Sequence, residues 1–224
     1  MLSNLELMSH HVDVLFRHDT ENKITVVNEP PYEAAPLFYI GSTREGKIVR
    51  YSNTLDVDII ERIKHIVGRK PTDLAELIRL IGKVSGLKSF YFGPAYVFPI
   101  VRSGSCAEVI QVTDENKEIL KSDFPYTFED FDYKQPCFVI IKDNKVVSLC
   151  CSARQNMKAA EASVFTNEHY RGRAYGKAVT TAWALEVQKQ KRIALYSTSW
   201  DNISSQSLAE KLQLLQYGTD IHMS

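Results

Sequence analysis

AEASVFTNEHYRGRAYGK, residues Ala160 to Lys177, changes character twice within one short stretch. Ala160 to Thr166 is a short run with β-branched and aromatic residues, which suits a buried strand. Arg171-Gly172-Arg173-Ala174-Tyr175-Gly176 is a loop of small residues carrying two cations. Lys177 to Gln190 then has apolar residues at helical spacing, with Ala178, Val179, Ala182 and Trp183 on one face. A strand, a tight loop and a helix start bring several backbone N–H groups to one point. Those first N–H groups have no partner inside the helix, and the helix dipole adds partial positive charge, so an anion is favoured there. Phosphate is the expected guest, cradled by the N–H groups of Gly172 to Lys177 with Arg171, Arg173 and Lys177 at the rim. Small residues at Gly172, Ala174 and Gly176 keep the approach open. Ala174 is tolerated at little cost where its backbone angles are ordinary. The alternative for the whole loop is a merely structural turn.

The flanks extend the pattern. Cys137 to Ile141 and Lys145 to Cys150 read as a hairpin across Asp143-Asn144, and their continuous apolar runs place them centrally in a sheet. Ile193 to Trp200 is the next strand. Asn202 starts a last helix with Leu208, Leu212 and Leu215 inward, and Tyr217 to His222 is a closing edge strand. Upstream, Thr113 or Asp114 caps a helix through Lys121. Pro125 to Tyr133 is a loop in which Glu129, Asp130 and Asp132 sit among Tyr126, Phe128 and Phe131. It reads either as a wall for a cationic amine or as an acidic surface loop pinned by its aromatics. Ser89 to Val101 is strand-like on both sides of a break at Gly93-Pro94, and the domain junction falls there. Before it, Ser3 to His18 is a helix opened by a Ser3/Glu6 capping box, Asn53-Thr54 caps a helix to about Val67, and Thr72 begins another through Lys83. This first part holds no catalytic constellation.

The chain has 224 residues, 44% apolar and 24% charged, the make-up of an ordinary globular protein. Lysine and arginine number 27, as do aspartate and glutamate, so no nucleic-acid partner is expected. No apolar run is long enough to cross a bilayer, so no membrane partner is expected either. MLSNLELMSHH lacks the basic start and apolar core of a secretory signal, and cytoplasm is the expected compartment. Cys106, Cys137, Cys150 and Cys151 show no CxxC pair and no metal-ligand spacing. They read as reduced structural thiols, the alternative being a catalytic thiol. The histidines are scattered apart from His10-His11, so no metal site is expected.

Arg171-Gly172-Arg173-Ala174-Tyr175-Gly176, with Tyr170 and the strand Val164-Phe165-Thr166 before it, resembles the signature of the GNAT superfamily of acyltransferases. That signature is Arg or Gln, two residues, Gly, one residue, then Gly or Ala; here Ala174 replaces its first Gly. Asn202-Ile203-Ser204-Ser205-Gln206-Ser207-Leu208-Ala209-Glu210-Lys211-Leu212 resembles the same family's Asn-led helix. Together the matches cover roughly 95–224. The resemblance implies a mixed α/β (α+β) fold. A GNAT-like domain over residues 90–224 has a central mixed sheet flanked by helices, and residues 1–89 form an accessory α+β region that covers the cleft or dimerises.

The resemblance also implies acetyl-CoA as co-substrate and a primary amine as acceptor, by direct attack in a ternary complex. It implies that the phosphates sit on residues 171–177, and that backbone groups of Val164, Phe165 and Thr166 take the pantetheine arm and polarise the acyl carbonyl. Asn202 would contact that arm, cap its helix, or do both. The acceptor is a small amine or, alternatively, a peptide N-terminus or lysine. The chain departs from the family on its last helix: the tyrosine that serves there as general acid is Ala209 here, seven residues after Asn202. A second departure is Ser197, where some members carry Glu. Glu161 is left as the candidate base, its alternative being a structural pair with a cation. Tyr196, Ser199 and Tyr217 are the remaining candidates for the acid. The missing tyrosine also leaves open an acyl-CoA-binding module with impaired catalysis.

Overall fold

The computed structural model describes residues 2–102 and 108–224; Cys106 lies outside the described residues. The chain forms two compact units, Met1–Pro94 with Gly218–Ser224, and Ala95–Tyr217.

The first unit begins with α1 (Asn4–Leu15), opened by the expected capping box: Glu6 N–H donates to Ser3 Oγ, and Ser3 N–H donates to Glu6 Oε2. There follow β1 (Phe16–His18), β2 (Ile24–Val27), β3 (Phe38–Ser42), β4 (Lys47–Tyr51), α2 (Val57–Gly68), α3 (Leu74–Val84) and β5 (Phe90–Val97). α2 starts later than the Asn53-Thr54 reading, at N-cap Asp56, because the Ser52 and Thr54 hydroxyls bond each other in a turn instead. α3 is capped by Asp73, not Thr72, whose hydroxyl accepts from Lys47 Nζ at 2.6 Å. Apolar residues of the two helices (Ile60, Ile63 and Ile66; Leu77, Leu80 and Ile81) pack with Phe38 and Ile40 in this unit's core. The chain's final strand, Leu215–Met223, is not an edge: its Thr219 to Met223 pair antiparallel with β3, and β5 lies on its other side. Ser89 and Ser224 exchange backbone hydrogen bonds of 3.1 Å.

β5 runs unbroken through Gly93-Pro94, against the expected break. Its pairing with a later strand starts only after the proline, at Ala95, where an N–H is again available. The second unit continues with β6 (Ile110–Val112), α4 (Pro125–Glu129), α5 (Phe131–Lys134), β7 (Cys137–Lys142), β8 (Lys145–Gln155), β9 (Ala159–Thr166), α6 (Tyr175–Lys189), β10 (Ile193–Ser197), α7 (Ile203–Lys211) and β11, the final strand already described. The expected helix after Asp114 is a single 3₁₀ turn, Lys117–Leu120, because Asn116 Oδ1 accepts from Thr113 N–H and closes a local turn first. The expected loop at Pro125 to Tyr133 is the two short helices α4 and α5, with Pro125 pre-set at the first helical position.

The strand order here is β5-β10-β9-β8-β7-β6, with β9 and β10 parallel and the other neighbours antiparallel. The middles of β7 and β8 are apolar on both sides because both faces are covered. Phe138, Ile140 and Cys150 pack under α6 with Val179, Trp183 and Val187, while Cys137, Val139 and Cys151 pack opposite with Leu120 and Phe131. Asp143 and Asn144 both take positive φ (51° and 59°), as a two-residue hairpin turn demands. The fold is mixed α/β, a mixed sheet flanked by helices. Among the described residues no helix is long and apolar enough to cross a membrane. Leu215, expected inward, is 54% exposed because it lies in β11 rather than on α7.

Candidate active site

β9 pairs with β8 as far as Thr166, but its parallel ladder with β10 ends at Glu161 opposite Leu195. Beyond that rung the two strands part. The backbone of Val164, Phe165 and Thr166 therefore flanks an opening rather than a partner strand. After β9 a 3₁₀ turn (Glu168–Tyr170) and the loop lead into α6. Arg171 Nε donates to Thr166 O at 3.3 Å, tying the loop back to the end of the strand.

The start of α6 is shaped by two left-handed residues, Gly172 (φ 81°) and Ala174 (φ 61°). Glycine adopts this region freely. Alanine does not, so Ala174 is not in the ordinary region the sequence reading allowed for, at a cost of roughly 1–2 kcal/mol. No side chain caps α6, and its first i→i−4 bond is Ala178 N–H to Ala174 O at 3.0 Å. The N–H groups of Tyr175, Gly176 and Lys177 precede that bond and face outward. At Gly176 an added Cβ would lie 3.1 Å from Thr166 Oγ1, tighter than ordinary contact.

Val164, Phe165, Thr166, Arg171, Gly172, Ala174, Tyr175, Gly176, Lys177 and Asn202 all line one cavity of about 470 Å³. Among the cofactor-binding and base candidates, Arg173 and Glu161 do not. Arg173 stands over the Tyr170 ring, 5.3 Å from its centroid. Glu161 is 4% exposed, accepts a hydrogen bond from Ser197 Oγ, and its Oε2 lies 3.5 Å from Arg154 Nη1. Alternation along β9 explains the difference: Ala160 and Ala162 face the α6 core, so Glu161 points to the other face of the sheet, at the rung where the strands part. Asn202 caps α7, its Oδ1 accepting from Ser205 N–H at 3.0 Å, and also lines the cavity.

Sequence reasoning missed the rest of the wall. Ser204, Ser207, Leu208 and Lys211 line the cavity from α7. Their i, i+3, i+4, i+7 spacing was the available signal, hidden because serines do not register as an inward face. Tyr196, one of the three acid candidates from sequence, is buried on β10, lines the cavity and hydrogen-bonds Ser205 Oγ. Burial pushes its phenol up to about 12. Ser199 and Tyr217, the other acid candidates, do not line the cavity.

Tyr170 donates to Asp143 Oδ2 at 3.0 Å, and Lys142 lies 5.8 Å from the Tyr175 ring centroid, so the β7–β8 turn buttresses the loop. Cys137, Cys150 and Cys151 are buried, and burial pushes the Cys137 and Cys150 thiols up, which disfavours a nucleophilic thiolate. Among the described residues no group of three His, Cys, Asp or Glu could hold a metal.

Ala209 is 1% exposed and packed in the core under α6, away from the cavity lining. Ala209→Tyr is therefore expected to overpack that core and to lower stability by about 1–3 kcal/mol. A melting curve equal to wild type would show that the phenol finds room elsewhere.

The GNAT acetyltransferase family model matches residues 106–216. No curated protein matches the chain. Among solved structures it is similar to a GCN5-related N-acetyltransferase-like protein from Streptococcus suis (18% identity, TM-score 0.53, covering 85% of each chain). A putative GNAT-family acetyltransferase from Novosphingobium aromaticivorans is similar at 14% identity and TM-score 0.53, over 61% of this chain and 65% of that one. This chain thus spans about two thirds of that protein's length. A functionally unknown conserved protein from Staphylococcus epidermidis is similar at 11% identity and TM-score 0.51, over 95% and 94% of the two chains. At these identities the structural likenesses speak for the fold alone.

Proposed function

Because residues 106–216 belong to the GNAT superfamily of acyltransferases, we propose that the chain moves an acetyl group from acetyl-CoA to a primary amine by direct attack in a ternary complex. The observation that carries this reading is the uncapped N-terminus of α6 opening onto a cavity that begins where β9 and β10 part. The donor set fits coenzyme A: unspent N–H groups at Tyr175 to Lys177 suit a pyrophosphate, with Arg171, Lys177 and Lys211 supplying charge. The separated strand edge of Val164 to Thr166 suits an amide-bearing arm. When bound, acetyl-CoA supplies the activated acyl carbonyl.

The chain's own groups do the rest. Strand N–H groups beside the opening polarise that carbonyl, a form of stabilisation worth on the order of 3–4 kcal/mol per donor. Asn202 holds the start of α7 against the cavity. Glu161 is the proposed base, serving an amine that approaches from the face of the sheet opposite α6. Its carboxylate is held in place by Ser197 and Arg154. The cytoplasm is the proposed compartment.

The second reading, a binder without turnover, is favoured by Ala209, whose burial leaves no acid at the family's usual position. Acetyl-CoA at a hundred times its Kd is expected to stabilise the chain by about 2.7 kcal/mol. That corresponds to a rise in Tm of roughly 5–10 °C for a protein of this size. No shift at any concentration would overturn both readings. A shift without thiol release across a panel of primary amines would leave the binder.

A further inference from the structure

Tyr196 holds a particular place in the split sheet. Leu195 is the last β10 residue paired with β9, so Tyr196 is the first residue of β10 beyond the rung where the strands part. Its ring is buried, 6.5 Å from the Tyr96 ring centroid, and the residue lines the cavity. Its hydroxyl meets Ser205 Oγ on the first turn of α7, and Ser205 lines the same cavity. Ser205 is itself fixed, since its N–H donates to the Asn202 cap. Ala209, one turn further along α7, presents no polar group and lies in the core.

Resting on the reading of the site just given, we infer that the Tyr196 hydroxyl, oriented by Ser205, donates a hydrogen bond to the departing sulfur and keeps its proton throughout. A phenol has one proton. With the Ser205 hydroxyl donating to the phenolic oxygen, that proton is left to point into the cavity. It does not transfer, because a phenol pushed up to about 12 by burial is a far weaker acid than an alkyl thiol, which titrates near ~8.5. As the amine nitrogen bonds to the acyl carbon, the C–S bond breaks and its electron pair stays on sulfur. The surplus proton of the amine goes to the base and then to solvent, and the thiolate is held by Tyr196 until it leaves. The role of an acid on α7 is thereby replaced by a neutral donor on β10.

The test is binding of coenzyme A, with its free thiol, against desulfo-coenzyme A, titrated from about pH 6 to pH 10 with the full chain. In wild type the thiol form is expected to gain affinity over the desulfo form as pH rises and the bound thiol ionises. A hydrogen bond to a charged partner makes that gain about tenfold or more. Tyr196→Phe keeps the ring in its core position and is expected to erase most of the gain, to leave desulfo-coenzyme A affinity unchanged, and to lower kcat by about tenfold or more. Ser205→Ala should give an intermediate loss on both readouts, and it carries the same comparison should Tyr196→Phe fail to fold. A pH-dependent gain in Tyr196→Phe or Ser205→Ala equal to wild type overturns this inference while leaving the cofactor site standing. Absence of binding of either form by wild type overturns the site reading itself.

Discussion

Gly176→Glu is expected to lower acetyl-CoA affinity by more than a hundredfold while leaving the fold intact. The position lies on the first turn of α6, and a Cβ there already meets Thr166 Oγ1 at 3.1 Å, with Leu208 and Val164 about a contact distance behind. The longer side chain has to run into the cavity. Its carboxylate then occupies the region where the first N–H groups of α6 gather, the place an external pyrophosphate would take. A negative charge at a helix N-terminus is favourable by roughly 0.3–1 kcal/mol, which offsets part of the crowding and is why folding should survive. A hundredfold loss corresponds to about 2.7 kcal/mol, modest for displacing a doubly coordinated anion. Calorimetric titration of acetyl-CoA into the variant, beside its melting curve, decides the matter. Wild-type affinity in a folded Gly176→Glu protein would mean that the anion site lies elsewhere.

Glu161→Gln carries the second large expectation. A primary amine has a pKa near that of lysine, about 10.4, and arrives at neutral pH almost wholly protonated. Removing that proton through a positioned carboxylate typically contributes 10²–10⁴-fold. The variant should lose kcat in that range with acetyl-CoA affinity near wild type, because Glu161 lies on the face of β9 away from the cavity lining. Its residual rate should climb with pH toward the amine's own pKa, as free amine takes over. Glutamine keeps an oxygen for Ser197 Oγ–H and its size in the sheet, so the melt should move little. A kcat loss below about threefold with a normal melt would strip Glu161 of the role. A collapsed melt would instead make it a structural partner of Arg154.

Much of the candidate site could be read from Ala160 to Lys177 because its information is local. A β-branched run, two glycines and a helical apolar stripe each act within a few residues, and the observed β9, loop and α6 follow them closely. Asn202 was readable for the same reason, as a cap followed by a helix. The misses are of another kind. Tyr196 stood among three candidates for the acid, but its meeting with Ser205, nine residues on and in another element, has no signal in the local pattern of β10. Ala174 was judged by residue type, whereas its φ of 61° comes from closing the loop onto α6. The final strand passes for an edge in isolation. Its partner β3 lies some 180 positions earlier in the chain, and pairing over that distance leaves only an apolar run behind. Short turns such as Lys117–Leu120 were called full helices because Asn116 competes for the backbone by a side-chain bond that composition does not weigh.

The uncapped start of α6 has a consequence for how such a protein can drift. The groups assigned to the anion belong to the main chain, and every residue type except proline supplies the same N–H. What must be inherited is therefore a set of torsion angles, above all at Gly172 and Ala174, together with a bare Cα at Gly176. Side chains around that framework are free to be exchanged for other purposes, the serine-rich face of α7 among them. A mutational scan of the loop should accordingly read as a record of permitted backbone geometry, with chemical identity mattering chiefly at its rim.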